Sequence, residues 1–358
     1  MKRKLGIAAA VIALFAGLAM LFGRGWLGEQ AFYRALDQNA GIDRSAALGD
    51  GLHAYVCGSG SPMPDATRAG PCIAVLAGKQ AFVFDSGSGA IRKLQRMGFP
   101  MDRIEGMFIT HLHSDHIDGL GELMLQAWIA GGRSQPLPIY GPPGTGQVVD
   151  GFNAAYEIDK GYRVAHHGPV IANPAGFGGE PIESPLPDDA ISQIAYNQEG
   201  VKITVFRVDH APIDPAFGYR VDFKGRSLVI SGDTVYSPDL VRTAKGADVL
   251  FHEAMSMEMV AALGKKLGQR GQANTAQIMS DIQNYHASPA DAARAARNAG
   301  VQALVLYHLV PPLPSRLVEP MFLGDAAKQF SGTLRIAQDG MIVSLPAGSK
   351  AVKFSQVF

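Results

Sequence analysis

The chain has 358 residues, 47% of them hydrophobic and 18% charged, the balance of a globular protein with a sizeable core, which excludes a disordered or low-complexity chain. Lys plus Arg and Asp plus Glu are equal at 32 each. The chain as a whole therefore lacks the basic surface that nucleic-acid binding usually draws on, although a local basic patch is left open.

At the N-terminus, Lys2-Arg3-Lys4 precedes an uncharged run from Leu5 to Phe22, long enough to span roughly 27 Å as a helix at about 1.5 Å per residue. That exceeds the roughly 7 to 15 apolar residues of a cleaved signal, and no convincing small-x-small site follows. Residues 1–24 therefore read as a signal-anchor in preference to a signal peptide. The preceding positive charge keeps the N-terminus inside and places everything after Arg24 outside the cytoplasm, in the periplasm of a Gram-negative cell. Residues 25–49 read as a stalk or linker, and residues 50–358 as the catalytic domain. Cys57 and Cys72 fit either compartment; in an exported domain they can pair, closing a short loop worth about 3 kcal/mol in the chain-entropy model.

Strand signals begin at His53–Cys57, Cys72–Leu76 and Ala81–Asp85, separated by Gly/Pro/Ser-rich turns. Ala90–Met97 reads as a helix stopped by Gly98, Ile104–Ile109 as a strand and Leu120–Ala130 as a helix. Gly141-Pro-Pro-Gly-Thr-Gly146 looks like a phosphate-binding loop but is followed by Gln147 and Val148 where that loop needs Lys and Ser/Thr, so it reads as a tight turn. Residues 151–200 are Gly/Pro-rich, long for a plain connection, and hence a candidate lid. Strand character resumes at Val201–Val208, Gly218–Asp222 and Ser227–Ser231. Ser288-Pro289 and Gly300 bracket an Ala-rich helix, and Val301–Tyr307 reads as a buried strand.

The chemistry lies at residues 110–119, Thr-His-Leu-His-Ser-Asp-His-Ile-Asp-Gly. His111, His113, Asp115 and His116 are metal-ligand types packed into six positions, far denser than ten His in 358 residues would scatter. Imidazole and carboxylate suit zinc and similar divalent ions. Alternation along an extended segment sends His111 and His113 to one side, and Asp115-His116 then turns two more ligands inward, so two pairs this close suggest two metals. His210, Asp233 in Ser-Gly-Asp-Thr and His308 each follow a strand, as a site along one sheet edge requires. His53, His166 and His167 stay unassigned.

These residues, together with Gly58-Ser-Gly-Ser-Pro62, Asp85-Ser-Gly87, His252-Glu253-Ala254 and His286-Ala-Ser288 before Leu306-Tyr-His308, resemble the metallo-β-lactamase superfamily over roughly residues 50 to 345, and most of all its ribonuclease Z and arylsulfatase-like branch. The resemblance implies an α/β fold, a four-layer αβ/βα sandwich of two mixed sheets flanked by helices, here with an N-terminal membrane helix added. It implies two Zn²⁺, with Mn²⁺ or Fe²⁺ as alternatives: His111, His113 and His210 on one, Asp115, His116 and His308 on the other, Asp233 bridging. Two such ions bring four positive charges, the two aspartates and a bridging hydroxide three negative ones, and the surplus attracts an anionic ester. Asp115 would also orient the hydroxide, while His252, Glu253 and His286 would contact the phosphate and help protonate the leaving group.

Ribonuclease Z inserts a tRNA-gripping arm between its third His and bridging Asp, whereas here His210 and Asp233 are 23 positions apart. The sequence alone therefore favours a dinuclear zinc hydrolase of small anionic esters, of phosphodiester or aryl sulfate type. The alternative is a ribonuclease Z-like 3′-tRNA-processing endonuclease, and a lesser one a lactonase or β-lactamase. Anchoring by the N-terminal helix is expected, and a homodimer is left open.

Overall fold

The computed structural model describes residue 17 and residues 23–187 and 190–358. The apolar run Leu5–Phe22, on which the expected membrane helix rested, lies outside them but for Gly17. No helix among the described residues is long and apolar enough to cross a membrane, so that addition to the fold is unsupported. The chain divides into two units, one ending at Arg44 and one running from Ser45 to Phe358. In the first unit, residues 23–39 form a helix, α1, with Trp26, Leu27, Phe32, Tyr33 and Leu36 exposed.

The second unit opens with β1 (Gly51–Gly58), β2 (Cys72–Ala77), β3 (Gln80–Phe84), β4 (Ile104–Phe108), β5 (Leu137–Gly141) and β6 (Gly179–Glu183). Next come β7 (Ser192–Gln198), β8 (Val201–His210), β9 (Ile213–Phe223), β10 (Arg226–Ile230), β11 (Val249–Met255), β12 (Ala303–Val310) and β13 (Thr333–Ile336), then β14 (Met341–Pro346) and β15 (Lys353–Gln356). One sheet has the order β15-β14-β1-β2-β3-β4-β5-β6, the other β13-β12-β11-β10-β9-β8-β7. Both are mixed: β3 to β6 and β10 to β13 run parallel, while the hairpins β1-β2-β3 and β7 to β10 are antiparallel. Cys57 and Cys72 are joined in a disulfide across β1 and β2.

Alternation of side chains builds the layers. In β1, Leu52, Ala54 and Val56 join the core between the sheets, together with Val249 and Phe251 of β11 and Ala303 and Val305 of β12. Tyr55 and Cys57 face outward to α2 (Ala90–Arg96) and, past the short α3 (Ser114–Ile117), to α4 (Leu120–Ile129) and α5 (Thr145–His167), which contribute Ile91, Leu94, Leu123 and Val149. On the far face, Leu250, Leu304 and Leu306 meet α6 (Pro238–Ala244) and, beyond the hairpin of α7 (Met257–Gln269) and α8 (Ala273–Asp281), α9 (Pro289–Ala299), α10 (Glu319–Leu323) and α11 (Ala326–Gln329). Four layers, αβ/βα, result. The start of α9 follows the expected chemistry: Ser288 accepts from the Asp291 amide at 3.0 Å while its own amide and hydroxyl donate to the Asp291 carboxylate, and Gly300 closes the helix at φ 69°.

Residues 151–200 differ from the expected irregular lid. They carry most of α5, then the edge strands β6 and β7, and none of the described ones lines the cleft described below. Gly151 and Gly161 masked the helix, for both sit on its open side, where a Cβ would meet nothing within 4 Å. The Gly141–Gly146 turn does lead into α5, where the Glu183 carboxylate accepts from the amides of Gly144 and Gly146 at 2.9 and 3.0 Å. The protein's own carboxylate thus occupies the place a phosphate takes in the lookalike loop.

Candidate metal centre

Because β9 is antiparallel to both β8 and β10, β8 ends at the same sheet edge as β10, β11 and β12. The loop after β4 reaches this edge from the other sheet and delivers His111 and His113, and α3 delivers Asp115 and His116. Close packing demands glycine beside it: a Cβ on Gly87 would lie 2.5 Å from the Asp115 carbonyl oxygen, and one on Gly232, at φ +63°, 2.4 Å from that of Phe217. His210 is the last residue of β8, and Asp233 stands just past the end of β10. His308 does not follow its strand but lies inside β12, where the β11–β12 register skips it between Tyr307 and Leu309. It is a bulge residue at φ 47°.

The seven side chains converge. Ligand atoms of His111, His113 and His210 lie within 4.8 Å of one another, as do those of Asp115, His116 and His308, and those of His111, His116 and Asp233. Asp233 Oδ2 is 3.4 Å from His116 Nε2, 3.3 Å from His308 Nε2 and 3.9 Å from His111 Nε2. Asp115 Oδ2 is 3.2 Å from His308 Nε2. The donor set itself asks for cations. His116 Nε2, His210 Nε2 and Asp233 Oδ1 are buried with no hydrogen-bond partner, a costly state for polar atoms unless something else meets them. Burial is the largest influence on His111 and, with the neighbouring His116, holds it well below its usual range, in the neutral form that ligates. Burial also pushes His116 down, but the charges of Asp233, Asp85 and Asp115 together outweigh it, so that without a cation they would keep a proton there.

The partners behind the ligands fix their orientation. His116 Nδ1 donates to Asp85 Oδ2 at 2.8 Å, and His210 Nδ1 to the Tyr285 carbonyl at 2.9 Å, so each ring turns its Nε2 toward the cluster. Asp85 was legible only as part of a family motif; its hold on His116 depends on the end of β3 meeting the loop after β4. Asp85 also accepts from the amide and hydroxyl of Thr110, at 2.8 and 2.9 Å.

Of the three residues expected beside the metals, the structure brings two to the site. His286 falls in a group with Asp233 and His308, and its Nδ1 is 3.1 Å from Glu253 Oε1. Burial lowers the His286 imidazole, but the Glu253 carboxylate, with Asp233, more than compensates, and it is raised to about 9. Glu253 Oε1 also accepts from the Ala287 amide at 2.8 Å and that of Thr234 at 3.3 Å, so it is a strut between three segments. His252 departs from expectation: alternation along β11 turns it with Leu250 and Ala254 toward the outer helical layer, away from the cluster. A cleft of about 440 Å³ opens over the centre, lined by His113, Asp115, Asp233, His286 and His308 on its floor and by Met63, Met255, Ile278 and Ile282 among its walls.

Residues 81–309 match the family described as Beta-lactamase superfamily domain. The chain is 36% identical over 291 residues to Ribonuclease Z of Mycobacterium bovis (strain BCG / Pasteur 1173P2), covering 80% of this chain and 96% of that protein. Against Ribonuclease Z of Mycobacterium avium (strain 104) the figures are 36%, 83% and 100%. In fold it is similar to human tRNase Z, short form, with TM-score 0.57 and 24% identity over 82% of this chain and 99% of that one. A metallo-β-lactamase fold protein of Bacillus subtilis gives TM-score 0.56 at 20% identity, over 83% of this chain and 100% of that one. The chain belongs to the metallo-β-lactamase superfamily. Within it, the chain is a relative of ribonuclease Z and a metal-dependent hydrolase acting on ester bonds.

These relatives correct one expectation. A membrane-anchored or exported catalytic domain was inferred from Leu5–Phe22, outside the described residues. The kinship runs instead to enzymes named Ribonuclease Z over most of both chains, and no described helix is fit to cross a membrane. The external address and the membrane partner are withdrawn.

Proposed function

We propose that the chain is a ribonuclease Z-type phosphodiesterase, acting on RNA and in particular at the 3′ side of precursor tRNA. The observation that carries this is the gathering of all seven His and Asp side chains into two triads about Asp233, in a chain 36% identical to proteins named Ribonuclease Z along 96 to 100% of their length. This reverses the order in which the sequence alone ranked the substrates: kinship supports the phosphodiester reading and lends nothing to aryl sulfate.

His111, His113 and His210 would hold one divalent ion, Asp115, His116 and His308 a second, with Asp233 between them; two Zn²⁺ fit the donors, as do Mn²⁺ and Fe²⁺. When bound, such a pair supplies hydroxide at neutral pH and positive charge beside the oxygens of the ester. The protein does the rest. Asp115, on the cleft floor 3.2 Å from His308 Nε2, orients the attacking water. His286, tied through Nδ1 to Glu253, turns its other nitrogen to the cleft it lines and donates a proton to the departing oxygen, help worth roughly 10²- to 10⁴-fold.

The test is turnover of an aryl phosphodiester, an aryl sulfate and a precursor tRNA by the metal-loaded chain, alongside His116→Ala and Asp233→Ala. Both esters of phosphate should be cleaved by the parent protein and by neither variant, with the variants still folded. Unchanged turnover in the two variants would overturn the site, and an intact precursor tRNA would overturn the substrate.

A further inference from the structure

If RNA is the substrate, a neutral chain in which Ala211 and Pro212 alone join β8 to β9 must hold it elsewhere than on an arm. One wall of the cleft has the needed chemistry. It is formed by α8 and the turn after it, through Thr275, Ile278, Met279 and Ile282, and α8 packs on α7 around Val260, Leu263, Leu267 and Met279. Between Glu258 and Asp281, which stand near its two ends, this hairpin has no Asp or Glu, but it carries Lys265, Lys266 and Arg270, of which Lys265 and Arg270 are exposed and Lys266 is exposed as well.

Several cations on other surface helices are paired with carboxylates: Arg92 with Glu122 at 2.8 Å, Lys160 with Glu157 at 3.1 Å, Arg163 with Asp159 at 2.6 Å, Arg294 with Asp291 at 2.8 Å and Lys328 with Asp325 at 2.6 Å. Lys265, Lys266 and Arg270 form no such pair among the described residues. Charge left unneutralised on one side of a catalytic cleft, in a chain with no net charge overall, is complementary to a polyanion. At about 1.5 Å per residue, Arg270 stands roughly 20 Å along α7 from Met257, two residues past Met255 of the cleft lining, in reach of phosphates well beyond the scissile one.

We propose that the α7–α8 hairpin docks RNA, with Lys265, Lys266 and Arg270 meeting backbone phosphates that flank the cut, and Ile278, 52% exposed at the cleft, packing with Ile282 against the base of an adjoining nucleotide. This rests on the ribonuclease reading above. It gives the chain a substrate-gripping element at a different place in the fold from an insertion after His210.

The experiment uses the metal-loaded full chain, a labelled precursor tRNA transcript with a short 3′ trailer, and the triple variant Lys265→Gln/Lys266→Gln/Arg270→Gln, with Lys265→Arg/Lys266→Arg as the conservative control. The thermal midpoint checks that all are folded. The Gln variant should bind the RNA about tenfold or more weakly at low salt, with the slope of log K against log salt shallower by about two to three, because three phosphate contacts are gone. The Arg control should bind as the parent does, and in cleavage the loss should fall on KM more than on kcat. A Gln variant that binds and cleaves RNA like the parent, with an unchanged salt slope, overturns the hairpin proposal alone. A parent that hydrolyses bis(4-nitrophenyl) phosphate but neither binds nor cuts the RNA overturns the ribonuclease reading, and the docking proposal falls with it. Vesicles of phosphatidylcholine with phosphatidylserine that bind through the same three cations, while RNA binding stays unaffected, would assign the patch to a lipid surface and likewise overturn it.

Discussion

Asp85 illustrates how much of this centre depends on residues that never face it. It stands at φ 54° just past β3, and its carboxylate fastens Thr110 and the back of His116. Asp85→Asn keeps the shape but replaces an acceptor facing His116 Nδ1 with an amide that can donate, removing the bond that sets the tautomer. Such outer partners of ligating histidines are worth roughly 10- to 100-fold in metal affinity. The variant should therefore lose activity at limiting metal and regain most of it in excess, and a chelator competition titration reads the affinity directly; equal affinity would show Asp85 to be dispensable. At this scale the sequence was informative where ligands crowd together. His111, His113, Asp115 and His116 declare themselves by density, and His210, Asp233 and His308 by standing at or near the C-terminal ends of apolar strands. The roles behind them were hidden: Asp85 acts across 31 positions, and whether His252 or Glu253 faces the centre depends on strand parity that no single strand reveals.

Elements were legible where local rules agree with the tertiary outcome, and misread where they compete. The start of α9 reads directly from Ser288-Pro289, since cap, first-turn proline and closing Gly300 all point one way. In β12, Ala303, Val305 and Tyr307 face the core between the sheets, while Leu304 and Leu306 face outward. After His308 the outward residue is Leu309, so one inserted residue flips the parity and releases the histidine toward the cluster; nothing in Leu-Tyr-His-Leu-Val announces it. The pairing of β1 with β2 offers a measurable case. Cys57 and Cys72 are wholly buried and 15 residues apart, and chain entropy assigns about 3 kcal/mol to closing such a loop. Cys57→Ala/Cys72→Ala should lower the free energy of unfolding in urea by about that much, with the slope against denaturant equal or somewhat steeper because the unfolded chain loses its cross-link. A loss well under 1 kcal/mol would mean that the strand pairing holds this corner unaided.

The two sheets are tied together at both ends of the sandwich, by different chemistry. Away from the metal cluster, the buried Arg226 of β10 makes a two-pronged pair with Asp248, both contacts at 3.0 Å, and donates to the carbonyls of Pro346 and Ala351, each at 3.0 Å, at and beyond the end of β14 in the other sheet. Arg226→Leu would leave the Asp248 carboxylate, also bound by the Ser227 amide and the Gln302 side chain, buried without its cation. That change should cost about 3 to 5 kcal/mol in denaturant unfolding; a cost below about 1 kcal/mol would show that water replaces the arginine. At the opposite end the tie is ionic in a stronger sense. His111, His113, Asp115 and His116 come from the loop and helix after β4 of one sheet, and His210, Asp233 and His308 from the other. A cation shared among them binds the folded chain and not the unfolded one, so it adds RT ln(1 + [M]/Kd), about 4 kcal/mol when free metal is a thousandfold above Kd. Stripping the protein with a chelator should therefore lower the thermal midpoint by roughly 5 to 15 °C. Adding back Zn²⁺ or Mn²⁺ should raise it again in proportion to the logarithm of concentration. His210→Ala, which removes a ligand whose Nε2 is otherwise buried without a partner, should shrink that rise without lowering the metal-free midpoint. A midpoint indifferent to metal in the parent chain would mean that the sheets close without a cation and that these seven side chains are not its site.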